Sequence, residues 1–424
     1  MKIAVIGAGI IGVTTAYELA RDGHEVTVFD RRMAAAEETS FANAGIMSPG
    51  YASPWAAPGM PLKIIRHLLS RHSPVRFNLP LSANDLGWLW KSLLSSSKAR
   101  FTANRTRMAR LAAYSQTRLQ HISEELKLEF DRSNGHMVLL RSERDHAMMQ
   151  AGLQVLSDNG LAFKLLQPAQ ARETEPALNP ATAFHSALYL PQDEVGNCRQ
   201  FALLLKNEAQ RLGVKFSFST SVEGMEASSG IALTLAGQPR SQHFDAAVMC
   251  AGVDSARLLR PLGLKIPLAA VHGYSVSATI RDTLEAPRSA IMDERYKVSI
   301  SRLGNRVRVA GAAEIGGAPG VKRKNTIQTL YKVLDDWFPR AANWFPGSNN
   351  HSSGVLIWKG ARPMLPDGPP IVGASGIPGL WLNLGHGASG WALSCGSARA
   401  VADLVGQRQP ETDLEGLDLN RLGL

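Results

Sequence analysis

The first thirty residues constrain the fold most. Lys2–Ile6 (KIAVI) is a short apolar, β-branched run that reads as a buried strand. It runs directly into Gly7-Ala8-Gly9-Ile10-Ile11-Gly12, a G-x-G-x-x-G spacing. A helix is predicted from Ile10 to about Asp22. Gly23 breaks it, and Glu25–Phe29 (EVTVF) returns as a second strand ending at Asp30. Gly7 permits the tight strand-to-helix turn, Gly9 lets the backbone approach a pyrophosphate, and Gly12 lets the helix pack on the strand. The helix N-terminus offers free N–H groups to phosphates. Asp30, 18 residues after Gly12, can accept hydrogen bonds from a ribose. The glycine spacing alone is a weak signal. Strand, glycines, helix, strand and terminal acid in one unit specify a dinucleotide-binding βαβ, though they do not separate FAD from NAD.

At 424 residues the chain is too long for one small core, so two domains or one large one are expected. Its three cysteines, Cys198, Cys250 and Cys395, are widely spaced. They form neither a disulfide framework nor a metal-ligand pattern, and read as small buried thiols. No metal is expected. The first strand starts at residue 2, which leaves no room for a signal peptide. No window reaches the roughly 18 uninterrupted apolar residues of a membrane span. The expected location is the cytoplasm. The formal charge is +10. Lys98, Arg100, Arg105, Arg107, Arg110 and Arg118 fall within 21 residues that contain no acid. A solvated helix face accounts for this, as does docking on anionic lipid headgroups at the inner face of the plasma membrane. Nucleic acid is not expected, because no recognised binding module accompanies the charge.

After Asp30 and Arg31, the stretch Thr39–Gly50 becomes small, polar and Gly-rich, and reads as a loop able to cover a cofactor. Arg31 suits an adenine face or a phosphate, or is a plain surface arginine. Tyr51–Pro61 carries three prolines and suits a pocket rim. Residues 62–127 read as helical, with Leu86, Trp88, Leu89, Trp90, Leu93 and Leu94 as a core patch. Gly135–Arg141 reads as a strand, Arg144–Leu156 as a helix, and Ala187–Leu190 as a strand entering a polar turn at Pro191–Asn197. Asn197 is placed to cap a helix from Cys198 to Leu212. Val214–Phe218, Ile231–Leu235 and Ala246–Cys250 read as strands, the last as a central parallel strand ending at Ala251-Gly252. The short alternating runs between Ile266 and Ala310 read as an antiparallel sheet, followed by a helix at Lys324–Trp337. Trp381–Leu384 is a strand, and Gly385-His386-Gly387-Ala388-Ser389-Gly390 opens a last helix to about Val405, a second Gly-rich helix start suited to negative charge. The fold class is therefore α/β, with a discontinuous Rossmann-like domain (1–50, 191–262 and 352–424) and a substrate domain (51–190 and 263–351) built on a mainly antiparallel sheet and helices.

Several segments resemble a known family. G-A-G-I-I-G at the start, E-T-S-F-A-N-A-G-I-M-S-P-G-Y-A-S-P-W-A-A-P-G at 38–59, H-G-Y-S at 272–275, Y-K-V-S-I-S-R at 296–302, G-A-R-P-M-L-P-D-G at 360–368 and N-L-G-H-G-A-S-G-W at 383–391 are similar to FAD-dependent D-amino acid dehydrogenases, of the D-amino acid oxidase and glycine oxidase superfamily. The likeness spans nearly the whole chain. It implies noncovalent FAD held by Gly7–Gly12, by Asp30 and Arg31, by Ser40, Asn43, Ala44, Gly45 and Met47, by Val222 against adenine, by Gly252, and by Gly385, His386, Gly387 and Gly390. Cys395 lies outside the motif of covalent flavin attachment. Arg362 matches the arginine that clamps a substrate carboxylate, its alternative being a structural salt bridge. Tyr274 matches an aromatic hydroxyl near substrate. His386 either orients substrate or flavin or holds the turn.

The resemblance implies oxidation of the Cα–N bond of a D-amino acid by hydride transfer to FAD, giving a 2-oxo acid and ammonia, with electrons passed to a quinone or other respiratory acceptor. D-hydroxyproline, glycine or sarcosine are alternative substrates. An NAD-linked dehydrogenase and a flavin-bearing RNA-modifying or scaffold module are the rival classes. The chain departs from glycine oxidases in lacking an arginine in the C-terminal turn, and Lys359 occupies a position usually small or polar in the dehydrogenases. A Lys359 side chain entering the pocket would alter substrate choice.

Overall fold

A computed structural model describes residues 1–59, 72–158, 160–318, 320–342 and 354–423. Its strands are β1 (Lys2–Ile6), β2 (Glu25–Phe29), β3 (Ile46–Met47), β4 (Val75–Phe77), β5 (Ser133–Leu140), β6 (Lys164–Leu166), β7 (Ser186–Val195), β8 (Lys215–Ser217), β9 (Val222–Ser228) and β10 (Gly230–Leu235). They continue with β11 (Gln242–Phe244), β12 (Ala246–Met249), β13 (Ala269–Thr279), β14 (Ala290–Asp293), β15 (Val298–Leu303), β16 (Arg306–Ile315), β17 (Leu356–Met364), β18 (Ile371–Ala374) and β19 (Leu380–Leu384). The described α-helices are α1 (Ile10–Arg21), α2 (Ala83–Leu94), α3 (Lys98–Glu125), α4 (Glu143–Asp158), α5 (Pro168–Thr174), α6 (Cys198–Arg211), α7 (Ser255–Leu259), α8 (Lys324–Trp337) and α9 (Gly390–Val405).

The first sheet has the order β18-β19-β12-β1-β2-β8, parallel except where β18 meets β19. β1 lies at its centre, with Ile3 opposite both Val26 and Ala246. Ile3 and Val5 enter a core shared with α1, α6 and α9, whereas Ala4 and Ile6 enter a second core under β9–β11 and α7. Both faces of β1 are covered, which is why its sequence is apolar without alternation. Each such isoleucine or valine side chain contributes about 1.5–3 kcal/mol on burial.

The second sheet has ten strands, β17-β13-β16-β15-β14-β5-β7-β3, with β4 added to β16 and β6 to β7. Most of its pairs are antiparallel; β14–β5 and β16–β4 are parallel. Helix α8 closes one face through Leu330, Leu334 and Trp337. β17 belongs to this sheet, so Leu356–Met364 lies with the substrate-side strands and not, as the expected boundary at 352 implies, with the nucleotide sheet.

Several expectations are corrected. The polar turn at Pro191–Asn197 is strand as far as Val195. Pro191 fits there because the β5–β7 register slips between Asn134 and His136, so its missing N–H is not needed. Val75–Phe77, expected to be helical, is an edge strand on β16; residues 62–71 of the same expectation lie outside the described residues. The apolar patch around Trp88 is split. Trp88 is buried at 2% exposure, but Trp90 stands 61% exposed with Leu86, Leu93 and Leu94 beside it. The basic stretch 98–118 is not one free face. Arg118 pairs with Glu18, Arg110 with Asp413 and Arg107 with Glu415, while Arg105 reaches the Gly152 carbonyl.

Candidate active site

A cleft of about 1160 Å3, its open mouth included, runs along the C-terminal ends of β1, β2, β12 and β19. That is where a doubly wound sheet places its ligand. The βαβ unit builds its floor. A Cβ on Gly12 would lie 1.8 Å from the Gly7 carbonyl oxygen, so only glycine lets α1 sit this close to the turn. Gly9 is the N-cap of α1 without a side-chain cap, and its Cβ direction meets only the Ser40 hydroxyl, at 3.5 Å. The Ile10 N–H donates to that same hydroxyl at 3.0 Å. Asp30 accepts from the Ala8 N–H (2.6 Å) and the Arg32 N–H (2.8 Å). Burial nevertheless raises its carboxyl above the usual range.

Of the expected cofactor residues, Gly7, Gly9, Ile10, Ile11, Asp30, Arg31, Ser40, Val222, Gly252, Gly385, His386, Gly387 and Gly390 line this cleft. Ala8 and Gly12 shape it from behind. Arg31 is charge-compensated by Glu38 at 2.7 Å and Asp254 at 2.5 Å. Asn43, Ala44, Gly45 and Met47 do not line the cleft. Their backbone is tied elsewhere: the Asn43 carbonyl accepts from Arg308, that of Ala44 from Ser301, and that of Gly45 from the Trp391 indole, while Met47 pairs with Glu194. Glu38, Thr39, Thr220, Ser221 and Asp254 also line the cleft; Glu38 and Thr39 open the segment quoted at 38–59, whereas Thr220, Ser221 and Asp254 carry no sequence signal, since separate elements bring them there.

The far end of the cleft is the second Gly-rich turn. α9, 16 residues long, starts at Gly390 with no side-chain cap, so its N-terminal N–H groups and partial positive charge face the cleft. The His386 ring is buried and its Nε2 lies 3.0 Å from the Ser397 hydroxyl. Burial pushes its pKa down to about 3, so the imidazole is neutral. The backbone of His386 bridges that of Met364, which brings the end of β17 to the cleft; Pro363 lines it.

Arg362 stands one residue away. Its Nη1 donates to the Ala312 carbonyl at 2.8 Å, and among the described residues it has no carboxylate partner. Desolvation lowers its pKa to about 10, so the guanidinium stays charged at neutral pH. Gly273 lies beneath it: a Cβ there would fall 2.3 Å from Nη2. Trp358 shares this strand face, its indole covering Gly360 so closely that a Cβ there would fall at 1.8 Å. Ala312 sits in a β-bulge at φ +61°, where two chain registers meet between β13 and β16. The bulge turns its carbonyl toward Arg362.

Tyr274 is not brought to Arg362. It pairs with Lys359 across β13 and β17, three residues from Arg362 and so on the opposite face. Its hydroxyl donates to Glu314 and accepts from the Arg323 N–H, and its ring packs under α8. Lys359 likewise points away from Arg362. Its ammonium donates to the Ala318 and Val321 carbonyls and lies 3.4 Å from Glu314. Cys395 is buried inside α9 with its thiol pKa raised by burial.

Two helix starts whose own N-cap residues make no side-chain bond open on one cleft; with a Gly9 that meets only Ser40 and an acid at the end of β2 they fit a dinucleotide cofactor: pyrophosphate at α1, ribose at Asp30 and an electron-rich ring edge at α9. The family model described as FAD dependent oxidoreductase matches residues 2–404. The chain is 41% identical to a D-amino acid dehydrogenase of Bradyrhizobium diazoefficiens over 427 aligned residues, covering 99% of both chains. It is also 41% identical to one of Sinorhizobium medicae, covering 100% of both. Among solved structures it superimposes on a glycine oxidase from Geobacillus kaustophilus (TM-score 0.77, 22% identity, 99% and 98% coverage) and on an L-proline dehydrogenase from P. horikoshii (TM-score 0.76, 17% identity, 100% and 97% coverage). The chain belongs to the FAD-dependent oxidoreductase family.

Proposed function

We propose that the enzyme oxidises D-amino acids to 2-oxo acids and ammonia and passes the electrons to a quinone or other respiratory acceptor. The observation that carries this reading is Arg362: a charged guanidinium on the residue next to Pro363 of the cofactor cleft, whose hydrogen-bond partner among the described residues is a neutral carbonyl. A guanidinium fork matches a carboxylate bidentately. The 41% identical relatives named D-amino acid dehydrogenase support the substrate class. In this assignment the first sheet holds the cofactor and the second sheet presents the substrate.

FAD, when bound, accepts the two electrons removed from the Cα–N bond. The chain's own residues bind and orient. Arg362 fixes the substrate carboxylate, the bulged Ala312 carbonyl fixes Arg362, and Trp358 over Gly360 walls the same face. The α9 N-terminus favours negative charge at the cleft's far end. His386 is neutral and bonded to Ser397, so it holds the turn and carries no charge to the substrate. The substrate ammonium releases its proton to solvent before oxidation, and the imino acid product adds water and loses ammonia. Positioning of this kind supplies several kcal/mol of the barrier reduction.

The test is anaerobic bleaching of the purified holoenzyme with a panel of D-amino acids, D-hydroxyproline, glycine and sarcosine. Bleaching by D-alanine and its homologues is expected. Bleaching only by secondary amines or glycine would overturn the substrate assignment. Reoxidation of the bleached enzyme by a soluble quinone, faster than by dissolved O2, is the expected acceptor behaviour.

A further inference from the structure

Helix α2 has two apolar faces, and among the described residues only one packs against a core. Trp88 and Leu89 pack with Trp55, Phe77 and Met364, and the Trp88 indole donates to the Met364 carbonyl at 2.8 Å. On the other side Leu86, Trp90, Leu93 and Leu94 follow the i, i+4, i+7, i+8 spacing of a single stripe, all exposed, with Leu79 exposed just before the helix. A helix of a globular protein normally turns such a stripe inward. Three cations frame it: Lys91 on the helix, and Lys98 and Arg100 at the start of α3, all exposed. Among the described residues none of the three is in an ion pair. Arg100 donates to the Leu94 carbonyl at 3.0 Å, which ties its guanidinium to the end of the stripe. The sequence holds no acid between Asp85 and Glu124.

We propose that α2 docks the enzyme on an anionic lipid bilayer. The helix lies in the interface, with Trp90 and the leucines at the headgroup–acyl boundary and Lys91, Lys98 and Arg100 over lipid phosphates. It does not span: α2 has 12 residues, about 18 Å of helix against a hydrocarbon core of about 30 Å. A second copy of the chain fits the stripe poorly, because self-association would set Lys91, Lys98 and Arg100 near their own kind, with Asp85 the one acid on α2 and already bonded to Ser82. The same helix packs on Met364, whose backbone meets His386, so the docking face is one helix layer from the cleft. The inference deepens the reading of a respiratory acceptor, since a carrier dissolved in lipid would then be near at hand.

The experiment is co-sedimentation of FAD-loaded enzyme with phosphatidylglycerol-containing vesicles and with pure phosphatidylcholine vesicles, at low and high salt. Binding to the anionic vesicles at least about tenfold tighter than to the neutral ones, weakened by salt, is expected. The variant L86S/W90S/L93S/L94S should lose that binding about tenfold or more, keep its flavin absorbance and melting temperature, and still bleach with D-alanine. The variant K91E/K98E/R100E should lose the anionic preference alone. Equal sedimentation of wild type and the serine variant would overturn the proposal, as would no vesicle binding by the wild type, or a dimer in sedimentation equilibrium that the serine variant dissolves. Vesicle binding is read without turnover. Binding with no bleaching by any amine would sink the proposed reaction and leave the docking intact.

Discussion

Two groups of desolvated arginines differ in what neutralises them. Behind the cleft, Arg118 and Arg399 converge on Glu18, a carboxylate with no exposure, at 2.6 and 2.8 Å, and Arg399 also binds Asp22 and Asp403. Burial alone would lower both guanidinium pKa values, and the hydrogen bonds and charges of their acids more than reverse it. Next to Pro363 of the cleft, Arg362 has among the described residues only the Ala312 carbonyl, and its pKa falls. The first group clamps α1, α3 and α9 together. The second has no carboxylate partner among the described residues, and on that the proposed substrate clamp rests.

Removing either side of this contrast should give opposite signatures. Glu18→Ala leaves two guanidinia short of their shared acid, and should cost about 3–5 kcal/mol of stability. Chemical denaturation of the holoenzyme measures it, and kcat/KM for D-alanine should change little in the folded protein. An unchanged midpoint would break the comparison. Arg362→Leu should do the reverse. It removes a carboxylate partner worth about 3 kcal/mol, so kcat/KM falls roughly a hundredfold, chiefly through KM, while FAD stays bound and the melting temperature holds or rises. A KM equal to wild type would dismiss the clamp.

Little of this contrast was legible in the sequence. β1, the glycines, α1 and β2 were legible because the whole unit is local: 30 contiguous residues carry strand, turn, helix and terminal acid. The α8 helix and the Asn197 cap, whose side chain accepts from the Gln200 N–H at 3.3 Å, were legible for the same reason. The Glu18 clamp was not, because its arginines lie 100 and 381 residues away. Nor does periodicity tell which apolar face of α2 is covered; that depends on where Met364 arrives. Motif matching put Tyr274 and Arg362 in one pocket, whereas strand pairing places them on opposite faces. The Ala312 bulge left no mark, since alanine at φ +61° is not announced by its residue type.

His386 sharpens the comparison from the side of a group that avoids charge. Its folded pKa is about 3 against roughly 6.5 unfolded. Between those values the unfolded chain binds a proton that the native chain refuses. Its contribution is therefore fully present above pH 6.5 and is lost as pH falls toward 3, by up to about 1.4 kcal/mol per unit. His386→Gln should flatten that part of the stability–pH curve without adding any pH dependence to kcat near neutrality. A curve parallel to wild type between pH 4 and 6 would show that the ring is not the group responsible.

The smallest effect is expected at Tyr274. Its phenol pKa is raised by burial and by Glu314, so the hydroxyl is neutral and donates to that carboxylate on the face of the second sheet away from Arg362. Tyr274→Phe deletes the hydroxyl's two hydrogen bonds, the one it donates to Glu314 and the one it accepts from the Arg323 N–H, and leaves Glu314 with Lys359 at 3.4 Å and Arg323 at 3.5 Å. Stability should fall by about 1 kcal/mol, and kcat/KM for D-alanine should stay within about twofold. The ring still fills its place under α8, so any effect reports the hydroxyl alone. If kcat/KM drops tenfold with FAD bound and the melting temperature little changed, the hydroxyl reaches substrate during turnover, and the division of the sheet into a binding face and a structural face fails.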